Sequence, residues 1–112
     1  MNRSMQGLLI TLLILLMAPG LGNTAGSSEG AELFQQHCAA CHINGGNIIR
    51  RGKTLKLKAL ERQGIASMEA IAQIAREGVG QMSGYDEGLG PEGDQIVAEW
   101  ILEQAQKAWI QG

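Results

Sequence analysis

Apolar residues return every three or four positions along most of the chain, the period of a helix with one buried face, and nowhere do they alternate singly as a half-buried strand requires. Glu32, Leu33, Phe34 and Gln36 suit a helix running directly into Cys38, with Gly30 four residues before Phe34 on the same face. A glycine there lets another helix approach closely. A second helix is expected from Thr54, where Leu55, Leu57, Ala59 and Leu60 mix with Lys56, Lys58, Glu61 and Arg62; Gly64 is placed as its C-terminal cap. Ser67 is a natural N-cap for a third, with Met68, Ile71, Ala72, Ile74 and Ala75 as its apolar side up to Gly78. Pro91 fits the first turn of a last helix carrying Ile96, Val97, Trp100, Ile101 and Ala108 at helical spacing.

The segments between these helices are glycine-rich. Residues 43–52 contain Gly45, Gly46 and Asn47 and are expected to be irregular loop. Residues 78–90 hold five glycines in thirteen positions, which excludes a regular helix and predicts a wrapped loop with Met82 in its middle. The expectation is an all-α fold of three or four helices, without internal repeat or second domain.

The N-terminus departs from this pattern. Arg3 supplies a positive charge, residues 7–17 are dominated by Leu and Ile, and Pro19, Gly20 and Gly22 interrupt the run. That is the layout of a secretory signal peptide, and the apolar run falls short of the about 20 residues that span a bilayer. Residues 1–25 are therefore read as a signal peptide, cut after Ala25 although Asn23 is not the small residue preferred before the cut. An uncleaved anchor is the alternative. Residues 22–30, rich in Gly, Ser, Asn and Thr, read as a linker, and residues 26–112 as one domain.

Charge narrows the partners. With 9 basic and 11 acidic residues the net charge is −2, more negative once Arg3 is removed, so nucleic acid is not an expected partner. Arg50, Arg51, Lys53, Lys56 and Lys58 lie close together, whereas Asp86, Glu87, Glu92, Glu99 and Glu103 fall in the last third. Separated patches steer a docking partner; ordinary solvated faces are the bland alternative.

The chemistry rests on Cys38-Ala39-Ala40-Cys41-His42. Cys-x-x-Cys-His is the attachment motif of a c-type haem. One turn of helix presents both thiols to one porphyrin edge, where each adds across a vinyl group, and the next residue reaches the iron. These are the only two cysteines. A redox-active disulfide would need a βαβ context that this chain lacks. Zinc held by both cysteines, His42 and His37 is disfavoured, because His37 and Cys38 are adjacent. Phe34, Tyr85, Trp100 and Trp109 are the only aromatics, so a buried macrocycle would provide apolar surface that this small domain otherwise lacks.

His42 is the proximal ligand by position, its second ring nitrogen expected to donate to a carbonyl. Met82, Met68 and His37 are the candidates for the sixth position. Met82 is best placed, on a loop far enough along the chain to reach the opposite haem face. Met68 reads as core filler inside a helix, and His37 would be held at the porphyrin rim. Histidine with methionine gives a six-coordinate iron suited to electron transfer, with no position open to substrate; a haem sensor or enzyme would follow if the methionine were absent.

These residues, with Gly30-Ala31-Glu32-Leu33-Phe34, Gly45-Gly46-Asn47, Lys53-Thr54-Leu55-Lys56 and Lys107-Ala108-Trp109, make the chain resemble class I cytochromes c, and more narrowly the cytochrome c6 family. The resemblance implies three to four helices wrapped around one covalent haem c. It implies a non-enzymatic carrier of single electrons in the thylakoid lumen or periplasm, taking them from a cytochrome b6f-type complex to photosystem I or a terminal oxidase by transient docking. It also implies an aromatic at Trp100 packed on the N-terminal helix. Ile74 stands where the family has a glutamine, and Ser83 where proline often follows the methionine. An aliphatic residue at the glutamine position resembles a low-potential subgroup serving a different partner, although an apolar pocket alone would raise the potential.

Overall fold

The computed structural model describes residues 22–110; residues 1–21 of the expected signal peptide lie outside them. Helix α1 spans Gly22–His37, α2 Leu57–Arg62, α3 Met68–Glu77 and α4 Asp86–Gln106. The all-α architecture is thus observed, with α4 packed against both α1 and α3 and more lightly against α2.

Two local signals act as the sequence predicts. The Ser67 hydroxyl accepts from the Ala70 amide at 3.2 Å and starts α3. At the end of α2, Gly64 takes φ +72° while its amide reaches Glu61 O at 3.0 Å and that of Ile65 reaches Leu60 O at 2.9 Å. This pairing is a Schellman motif, and it satisfies two carbonyls the helix leaves bare.

Three expectations are corrected. Residues 22–30 are not a linker but belong to α1, because Gly30 is buried against α4 and packing outweighs its low helix propensity. The loop of residues 78–90 contains a two-residue antiparallel ladder, β1 Gly78–Val79 with β2 Met82–Ser83, in which Val79 faces Met82. Strands this short carry no periodicity for a pattern to reveal. The same loop ends early, since Asp86 already opens α4; Gly90 (φ 76°, ψ −175°) breaks the helix, and the long segment restarts at Pro91 as expected.

The core joins all four helices. Phe34, Leu60, Ile71, Leu89, Val97, Ala98, Ile101 and Trp109 are buried together. Phe34 lies 4.9 Å from Trp100 and 5.4 Å from Trp109 between ring centroids, and the two indoles meet edge-on at 5.7 Å. Trp100 therefore packs on α1 as the resemblance implies. Asp94 is buried in α4 and paired with Arg76 of α3, so the charge has a partner.

Gly30 sets the distance between α1 and α4. A Cβ at this position would lie 2.6 Å from Trp100 Cβ and 3.1 Å from Ile96 O, atoms that move only with the backbone. Alanine normally gains about 1 kcal/mol over glycine in a helix, but overpacking costs about 1–3 kcal/mol and dominates here. Gly30→Ala is expected to lower the denaturation midpoint in urea; a higher midpoint would show that the helices separate freely.

Candidate haem-binding site

Helix α1 delivers the motif. Its hydrogen bonding continues past His37, with Cys38 N donating to Phe34 O at 2.8 Å and His42 N to Cys38 O at 2.9 Å, so the two cysteines and the histidine share one turn. Cys38 is buried while Cys41 is exposed, and their sulfurs are not joined. Burial pushes the Cys38 thiol up to about 11, because a thiolate loses its hydration there.

His42 is half-buried, and its Nδ1 lies 2.7 Å from Gly46 O. A carbonyl only accepts, so Nδ1 carries the proton and the lone pair is on Nε2. This is the tautomer a metal ligand requires, with the partner type expected. The loop behind it is more ordered than an irregular segment. It opens with a 3-10 turn, Ile43–Gly45. Asn47 Oδ1 accepts from the amides of Ile49 and Arg50 at 2.9 and 2.7 Å, and its Nδ2 donates to Lys53 O at 2.9 Å. Sequence reasoning missed Asn47 and Gly46 as site residues; a Gly-Gly-Asn run starting three residues after the histidine was the available signal.

Met82 sits elsewhere, half-buried in β2, and the hairpin ties it to the end of α3. Met68 is not core filler, being 37% exposed at the start of α3. His37 packs its ring 5.6 Å from Tyr85 and against Gly88, wedged between α1 and the first turn of α4. Ile74 is half-buried in α3.

The residues present fit a haem. Besides the thiol pair and the free Nε2, the chain leaves large apolar side chains in water: Ile43, Ile48 and Ile49 just after the motif, Met68 on α3 and Val79 on the hairpin. The open depression lined by Arg76, Glu77 and residues 84–88 includes none of Cys38, Cys41, His42 or Met82.

Residues 25–101 match the family model described as cytochrome c oxidase, cbb3-type, subunit III. A cytochrome c6-like protein of Nostoc sp. is 42% identical, with 97% of this chain and 99% of that protein covered. The chain belongs to the cytochrome c6 family. Cytochrome c6B of Synechococcus sp. WH8102 is similar at 73% identity and TM-score 0.73, over 75% of this chain and 96% of that one. Cytochrome c6C of Synechococcus sp. PCC 7002 follows at 48% and 0.68, over 70% and 96%. As a cytochrome c6 family member the protein is a haem electron carrier, not an enzyme, and binds one covalent haem c. Among the described residues no helix is long and apolar enough to cross a membrane.

The unequal environments of the two thiols have a measurable consequence. Relative to an ordinary thiol of pKa 9.0, one at about 11 holds about a hundredfold less thiolate at neutral pH, and the thiolate is the nucleophile. In the haem-free chain iodoacetamide is expected to modify Cys41 well before Cys38, read by peptide mass spectrometry. Equal rates would show that the turn forms only once haem is attached.

Proposed function

We propose that the Cys38 and Cys41 thiols add across the two haem vinyl groups, that His42 Nε2 and the Met82 sulfur are the axial ligands, and that the protein carries single electrons from a cytochrome b6f-type complex to photosystem I or a terminal oxidase. The observation that carries this reading is the His42 ring, protonated at Nδ1 by its bond to Gly46 O and free at Nε2, one turn beyond Cys38. Bound there, the haem supplies an iron that gains and loses one electron. The chain supplies what keeps that exchange simple. Nδ1–H donation strengthens His42 as a ligand, the thioether of Met82 offers a second one, and the exposed isoleucines and Val79 would shut water out.

The working place proposed for this domain, residues 26–112, is the thylakoid lumen or periplasm, after removal of residues 1–25. The family match beginning at residue 25 supports that boundary. Arg50, Arg51 and Lys53 are exposed beside Ile48 and Ile49. Charge next to apolar surface speeds encounter without tight binding, as a carrier that must leave again requires.

A second reading, a low-potential carrier for a different partner, is favoured by Ile74, which stands where the resemblance has a glutamine. Redox titration of wild type and Ile74→Gln separates the two. A wild-type potential well below that of ordinary cytochrome c6, raised by the glutamine, supports the second reading. A potential comparable to ordinary cytochrome c6, with rapid photosystem I reduction, removes it.

Met82→Ala is expected to abolish the weak absorption at the red edge that reports sulfur on ferric haem, and to let the reduced protein bind carbon monoxide. An intact band would eliminate Met82.

A further inference from the structure

The C-terminal end of α4 is built with a strained turn, and the strain aims one side chain at the loop behind His42. Ala108 and Trp109 both lie in the left-handed region, at φ 56° and 58°, where non-glycine residues are held only by their surroundings. Ala108 N donates to Ala105 O at 3.1 Å and Trp109 N to Gln104 O at 2.8 Å, a Schellman motif with alanine in the place usually taken by glycine. This turn brings the buried Trp109 indole onto Gly45, where a Cβ would overlap the ring.

A run of hydrogen bonds links that indole to the histidine. Trp109 Nε1 donates to Leu55 O at 3.0 Å. The Leu55 amide donates to Gly45 O at 2.7 Å. Gly46, the next residue, presents the carbonyl that accepts from His42 Nδ1. Face and edge of one indole thus fix both strands of the loop, and with them the Gly46 carbonyl that sets the His42 tautomer.

We infer that Trp109 is a positioning residue for His42: by clamping Gly45 and Leu55 it holds the Gly46 carbonyl in place and so sets the donor strength of the axial imidazole. The inference rests on His42 being an iron ligand. A firmly held Nδ1–H···O bond raises the basicity of the ring and favours the ferric state, so loosening it weakens that preference and moves the potential up.

The test uses the reduced holoprotein, labelled with nitrogen-15, in which ring-current-shifted His42 resonances identify the bound ring. Trp109→Phe keeps an aromatic on Gly45 and removes the Nε1 donor. A second variant, with the indole N–H replaced by sulfur as benzothienylalanine, changes the donor alone. Both are expected to exchange the His42 Nδ1 proton about tenfold faster than wild type, the loss of roughly one hydrogen bond, and to show a raised midpoint potential. Ala108→Gly, which relaxes the turn and leaves the indole, keeps both at wild-type values. Unchanged exchange and potential in a donor-less variant with His42 bound would overturn the inference while leaving the ligand assignment intact, even if melting temperature fell. A shift in Ala108→Gly as large as in Trp109→Phe would also overturn it.

Discussion

The close crossing of α1 and α4 at Gly30 and Trp100 is the constraint on which the rest depends. With no side chain on Gly30, Trp100 Cβ sits against the α1 backbone, and this closeness lets Phe34 meet both indoles. The C-terminal end of α1 carries the haem motif at Cys38; the C-terminal end of α4 delivers Trp109 to the loop behind it. The same packing that stabilises the domain therefore orients the site.

Much of this was legible in the chain because it depends on local rules. Ser67 and Gly64 cap their helices through bonds within a few residues, and Pro91 restarts α4 because its ring suits a first turn. The Cys38 to His42 motif was legible for the same reason: its chemistry needs one turn and nothing distant. Gly30 was read correctly from its position four residues before Phe34.

What stayed hidden depends on contacts far apart in sequence. Residues 22–30 resemble a linker until the buried contact of Gly30 with α4 is known. The hairpin that holds Met82 is two residues per strand, too brief for any period. Met68 shows the apolar spacing of a core residue yet stands exposed at the start of α3. Trp109 lies 54 residues from the carbonyl it binds, and nothing near it in the chain announces that partner.

For electron transfer the arrangement divides labour between rigid and adjustable parts. The turn holding Cys38, Cys41 and His42 is continuous with a long helix, whereas Met82 comes from a short hairpin at the end of α3, and Ile74 from the half-buried edge of that helix. The measurement that bears most directly on this account is proton NMR of the reduced holoprotein with methyl-labelled methionine. The account predicts one methionine methyl shifted far upfield by the porphyrin ring current, and that it belongs to Met82. An upfield methyl belonging to Met68, or none at all, would contradict it.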